Sequence, residues 1–183
     1  NTVHLAADLL SQAEHDPRAR AIMVTTSESL ANAVSDEVER QLKLLPRESI
    51  ARPAIENNSY IAVMDSVEDM FTVMNEVAPE HLEIQLPDPM GYMSLVQNAG
   101  SVFLGAYASE PLGDYVGGTN HVLPTSGTAR FSSPLGVYDF VKRTSFTQFT
   151  KERLEEVATH ITTLARTEGL EAHARAIEVR FEK

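Results

Sequence analysis

Residues 105–136 read GAYASEPLGDYVGGTNHVLPTSGTARFSSPLG, and the rest of the chain is laid out around them. They hold six of the nine glycines and three of the nine prolines. A loop of this length inside a compact domain is uncommon, and such loops are either functional or disordered. Disorder does not suit a stretch that keeps Tyr107, Tyr115, Val116, Val122, Leu123 and Phe131. Asp114 and His121 stand seven residues apart, flanked by Gly113, Gly117 and Gly118. Glycine lets backbone approach a ligand closely. A structural loop with incidental polar groups is the alternative, and these residues alone leave it open.

Working outward, Ser101–Leu104 precedes the loop as an apolar strand. Before it, Asp88-Pro89 opens a predicted helix that ends at Asn98-Ala99-Gly100, with aspartate as cap and proline near the first position. Leu82–Leu86 alternates apolar and polar residues as a half-buried strand does. Ala78-Pro79-Glu80-His81 breaks the preceding helix, which buries Val67, Met70, Phe71, Met74 and Val77 behind a capping-box pattern at residues 65–68. Tyr60–Met64 is a strand and residues 48–57 form a short helix. Residues 28–45 form a helix with Leu30, Val34, Val38, Leu42 and Leu45 on one stripe. Ala21–Thr25 is a strand. Residues 3–15 form an amphipathic helix with Val3, Ala6, Leu9, Leu10 and Ala13 at helical spacing. Strands alternating with helices predict an α/β fold with a largely parallel sheet. Beyond the loop, helices over residues 151–166 and from about Gly169 form a small appendage with too little apolar surface to stand alone. In the second, His173 is expected on the stripe of Leu170 and Ile177, away from solvent.

Composition sets limits. The chain has 183 residues, 43% apolar and 22% charged, which suits one or two soluble domains with a real core. A net charge of −11 disfavours nucleic acid and anionic membranes as partners. No apolar run reaches the ~20 residues of a membrane span, and no signal peptide is visible, so a cytoplasmic location is expected. With no cysteine, any metal must be held by His, carboxylate or amide oxygen. The first residue is Asn, and the expectation is a processed product or part of a longer chain.

Four of the six histidines come with a partner: Gln12/His15, Glu80/His81, Asp114/His121 and Glu168/His173. Gln12 and His15, three apart, share the end of a helix. Adjacent Glu80 and His81 at a helix–strand junction can supply two acid/base groups with different resting pKa values. Gln12/His15 also reads as an exposed helix end, and Glu80/His81 as an exposed polar pair in a turn. None has the HExxH spacing of a zinc protease, and no GxGxxG, GxxxxGK[ST] or GxSxG stretch is present.

Taken together, AADLLSQAEHD (6–16), APEHLE (78–83), NAGSVFLG (98–105), LGDYVGGTNHVLPTSGTARFSS (112–133), DFVKRTS (139–145) and EGLEAHARA (168–176) closely resemble the C-terminal part of the histidinol dehydrogenase family. The resemblance covers nearly the whole chain. It implies zinc-dependent oxidation of L-histidinol to L-histidine with two NAD, through an aldehyde-level intermediate, at the end of histidine biosynthesis. It implies zinc ligands Gln12, His15, Asp114 and His173, the last from the partner subunit of a homodimer. It implies Glu80 and His81 as the catalytic acid/base pair. Substrate contacts are then Gln12, His15, His81, Asp114, His121, Glu168 and His173. The implied fold is the second half of a Rossmann-like, mostly parallel catalytic domain (1–135) and a helical dimerisation tail (136–183). The family's chain is more than twice as long. Its N-terminal half carries the nicotinamide-binding residues, so no cofactor-binding residue is expected in this chain, and that half is an expected partner. A non-catalytic zinc-binding or assembly fragment is the competing reading, and a paralogue acting on another amino alcohol a third.

Overall fold

The computed structural model describes residues 1–182 and forms two compact units, Asn1–Phe140 and Val141–Lys183. In the first unit, helix α1 (Thr2–Ala13) starts at Asn1, whose side chain accepts the Val3 N–H. Strand β1 (Ile22–Thr25) leads to α2 (Glu28–Leu42), capped by Ser27 through the Leu30 N–H. Helix α3 (Glu48–Asn58) and strand β2 (Tyr60–Val63) follow. The Ala6–Leu10–Ala13 line of α1 packs with Val34, Val38 and Leu42 of α2, Ala51 and Ala54 of α3 and Met23 of β1. The small residues on α1 and α3 let these helices approach closely. Val3, on the same line of α1, is 51% exposed and contributes little to the core.

Helix α4 (Val67–Val77) begins at Ser66, whose hydroxyl accepts the Asp69 N–H and bonds to the Asp69 carboxylate at 2.6 Å. The box is therefore Ser66 with Asp69, one residue later than the pattern at 65–68 suggests. Strand β3 (His81–Ile84) and strand β4 (Ser101–Leu104) bracket a 3₁₀ helix over Pro89–Leu95. A longer α-helix is expected there from the sequence. Gly91 interrupts it, with the Asp88 carboxylate lying where a Cβ at position 91 would sit, and Val96 is already extended. Phe71 and Met74 of α4 and Ile84 of β3 form a second core with Leu82, Tyr92 and Val102.

All observed strand pairing is parallel, as the alternating pattern predicts: β1 with β2 and β3 with β4. Among the described residues the strands form two separate two-stranded ladders. Each strand thus keeps an unpaired edge within its ladder, which a sheet ordinarily covers or extends. No helix among the described residues is long and apolar enough to cross a membrane.

The second unit contains α6 (Lys151–Thr167) and α7 (Glu171–Glu178), with α5 of the first unit described below. The two helices pack on each other around Ala165 and Ala174, and Arg166 bridges Glu171 and Glu178. Phe146, Phe149, Leu164 and Leu170 stay exposed. His173 is exposed too, which corrects the expectation that it lies with Leu170 and Ile177 away from solvent. An eight-residue helix with one neighbour buries a single line, and here that line runs through Ala174.

Candidate active site

The site is built where α4 ends. Ala78 takes a left-handed conformation (φ 50°) and its N–H still bonds to Met74 O, so the chain turns sharply out of the helix. Pro79 disfavours any helical continuation. Residues 79–81 then lock onto the start of β4: Gly100 N–H donates to Pro79 O (2.9 Å) and Ser101 N–H to Glu80 O (2.8 Å). A side chain at position 100 is excluded, since a Cβ there would lie 2.6 Å from Glu80 O. This close backbone approach fixes where Glu80 and His81 begin.

Along β3, side chains alternate between faces. Leu82 and Ile84 enter the second core. His81 and Glu83 project to the other face, where the register pairs Glu83 with Phe103. Helix α5 (Glu110–Tyr115), inside the loop of residues 105–136, lies on this face. Gly113 makes its close seating possible, because a Cβ there would meet the Phe103 ring at 2.8 Å. The Glu110 N–H donates to Glu83 Oε1 (2.9 Å) and anchors the start of α5 to β3. Glu110 and Asp114, four apart on α5, share a helical face. From the other side, α1 packs on α5, and Gln85 ties Asp8 of α1 to Glu83 at 2.8 and 2.9 Å.

Three side chains converge as a result. His81, Asp114 and His121 each offer a ligand atom, all within 4.8 Å of one another. The rings of His81 and His121 stack, with centroids 5.8 Å apart and planes 13° from parallel. His121 Nδ1 lies 2.6 Å from Asp114 Oδ1, but without the alignment of a hydrogen bond. Asp114 Oδ1, His81 Nε2 and Glu110 Oε1 are all buried without a hydrogen-bond partner. Buried polar atoms ordinarily have partners; His81 Nε2 and Glu110 Oε1 lie 3.9 Å apart, and the Asp114 oxygen is placed to hold a group that completes the site. Imidazole and carboxylate donors so placed fit a borderline divalent cation such as zinc.

The electrostatics separate the two candidate acid/base groups. Burial raises Glu80 above the usual carboxylate range, with the fields of His121 and His15 opposing it. Burial also lowers His81 below the usual histidine value, and Asp114 opposes that shift. A lowered imidazole pKa keeps the ring neutral and able to accept a proton near pH 7.

The sequence-predicted residues are therefore distributed as follows. Glu80, His81, Asp114 and His121 meet in one place. His15, exposed just beyond α1, acts on both Glu80 and His81 through its charge. Gln12 lies on α1, the helix packed against α5. Of the expected zinc ligands, Asp114 belongs to the clustered trio, while His81 and His121 complete that trio. Glu168 caps the C-terminus of α6 and His173 lies on α7, both in the second unit and both exposed. Two carboxyl groups at the site are absent from the sequence-derived set. Glu83 and Glu110 are both pushed up to about 7, first by burial. The sole sequence signal for Glu110 was its place at the head of the SEPLGDY run, and periodicity does not reveal burial inside a loop.

Comparison with known proteins adds a family to this geometry. Residues 1–181 match the family model described as histidinol dehydrogenase. A histidinol dehydrogenase of Lactiplantibacillus plantarum is 69% identical over 97% of this chain and 42% of its own length. That of Streptococcus mutans is 61% identical over 100% of this chain and 43% of its own. A crystal structure of histidinol dehydrogenase from Elizabethkingia anophelis superposes with a TM-score of 0.85 at 40% identity, covering 100% of this chain and 42% of that one. The chain thus spans under half the length of the curated relatives it matches.

Proposed function

This chain belongs to the histidinol dehydrogenase family, and on that premise we propose that it supplies the metal-binding and acid/base part of an enzyme oxidising L-histidinol to L-histidine. The observation that carries the reading is the junction of α4 and β3, where Glu80 and His81 meet Asp114 and His121. The activity belongs to the whole protein, of which this chain is less than half by the length of its relatives. The unpaired edges of both ladders suit a Rossmann-like domain, here residues 1–135, completed by the remaining length, and that length would bring the NAD-binding residues.

His81, kept neutral by burial, takes the hydroxyl proton of the alcohol as a hydride passes to NAD, giving the aldehyde. Glu80, whose basicity burial increases, takes a proton from water as its oxygen adds to the aldehyde carbon, while the protonated His81 returns its proton to the carbonyl oxygen, giving the hydrate and a neutral imidazole. The hydrate then loses a second hydride to a second NAD and one hydroxyl proton to the neutral imidazole, leaving the carboxylic acid, which ionises to the carboxylate of the product. Asp114, His15 and Gln12 would hold zinc together with the partner subunit's His173. Zinc, when bound, supplies a template for the amine and imidazole of the substrate. His121 packs its ring on His81 and contacts the substrate beside it. In the tail, residues 136–183, the exposed His173 and Glu168 suit service to the partner subunit of a homodimer. The exposed Phe146 and Phe149 suit a tail that is covered by another chain.

The test is NADH formation from L-histidinol with zinc present, run on this chain alone and on this chain combined with the rest of the protein. Activity in the combination, lost on chelation and restored by zinc, is the expected outcome. A folded combination that binds zinc yet forms no NADH would leave a non-catalytic zinc-binding or assembly role as the better account.

A further inference from the structure

Glu110 is, with Thr25, one of two polar residues buried to 6% exposure among the described residues. The reaction described above gives it no task. Its backbone is committed to Glu83 Oε1, but its carboxyl oxygen Oε1 has no partner. Asp114 flanks this carboxyl and disfavours its charge, and His81 Nε2, cut off from solvent and also without a partner, lies 3.9 Å from Oε1. Their side chains are 7% and 13% exposed, so water does not screen the pair. A contraction of about 1 Å would make a normal N–H···O hydrogen bond. Such bonds at reacting groups are often long before substrate binds.

We propose that Glu110 is a positioning residue for His81: its Oε1 accepts the Nε2–H of the imidazole, which fixes the ring and leaves Nδ1 as the nitrogen that takes the substrate proton. In a neutral imidazole one nitrogen donates and the other accepts, and the partner of the first decides the tautomer. Both charge states of Glu110 present an oxygen acceptor, so the arrangement does not depend on its ionisation. Phe103, whose ring centroid lies 6.1 Å from that of His81, packs near the imidazole and has no acceptor to compete. The proposal rests on the reading of His81 as the base.

The test uses the complete enzyme. Glu110→Gln keeps a carbonyl oxygen, and Glu110→Met keeps the volume without an acceptor. Glu110→Met lowers kcat about 30-fold with KM within about threefold, and Glu110→Gln recovers most of that loss. In a His81→Ala background, Glu110→Met causes less than about a twofold further loss, because the residue it acts through is gone. An equal loss with and without His81, or a glutamine as damaging as methionine, overturns the proposal. If His81→Ala alone keeps wild-type turnover, the base reading fails and the proposal falls with it, an outcome distinct from the first two. Should Glu110→Met not fold, ¹⁵N spectra of histidine-labelled wild-type enzyme decide. A His81 ring protonated at Nε2 is expected, and one protonated at Nδ1 overturns the assignment.

Discussion

Replacing Gly100 with alanine would put a methyl group 2.6 Å from the carbonyl oxygen of Glu80 and 3.1–3.2 Å from the ring of Pro124. Even a close C···O contact lies at roughly 3.3 Å, so the two backbones must separate by about 0.7 Å. Neither side yields easily. The Glu80 oxygen is held by the Ser101 N–H at 2.8 Å, and Pro124 is itself buried. Overpacking of this kind costs about 1–3 kcal/mol of stability. The larger consequence falls on catalysis, because the displaced strand start carries Glu80 and His81. A shift near 1 Å at a reacting group can cost about 100-fold in rate, so Gly100→Ala should lower kcat about 10- to 100-fold. The assay is NADH appearance from L-histidinol in the complete enzyme, with thermal unfolding measured in parallel. A variant within twofold of wild type in kcat and unchanged in melting temperature would refute the idea that this contact sets the position of the pair.

Three further outcomes can be checked independently. Ala78→Gly should raise stability by about 0.5 kcal/mol in urea unfolding, since it removes left-handed strain at φ 50° while adding freedom to the unfolded chain; a loss above 1 kcal/mol would contradict this. Leu42→Ala, at a side chain with 0% exposure between α1, α2 and α3, should cost about 2–5 kcal/mol by the same measure. Glu83 sits at about 7, above its ordinary value of 4.5, because burial disfavours its charge. Its contribution to stability is therefore fully present below about pH 4.5 and is lost as pH rises through about 7. Glu83→Gln should accordingly be more favourable relative to wild type at pH 8 than at pH 5, and an equal difference at both pH values would count against it.

Local chemistry was legible in the sequence where it acts over a few residues. The break at Pro79 bounds α4, and the apolar runs at 22–25, 60–63 and 101–104 are strands. Strand order is not legible, because four-residue strands carry a face but no code for their neighbour. The candidate site was visible as separate pairs, Glu80/His81 and Asp114/His121, each with an ordinary surface reading. Their meeting depends on two absent side chains, at Gly100 and Gly113, and on the left-handed turn at Ala78. None of these has a periodic signature. Burial of Glu110 and Glu83 was hidden for the same reason, since it arises when α5 folds onto β3. Periodicity puts His173 on the stripe of Leu170 and Ile177 but does not tell what that stripe faces, and α7 has α6 alone to pack on within its unit.

The most direct measurement is steady-state NADH formation from L-histidinol by the complete enzyme carrying His81→Ala, at saturating NAD and zinc. Removing a general base typically costs 10²–10⁴-fold, so kcat should fall by at least about 100-fold while zinc content and folding stay as in wild type. Turnover within a few-fold of wild type would contradict the assignment of proton transfer to the residue at the head of β3.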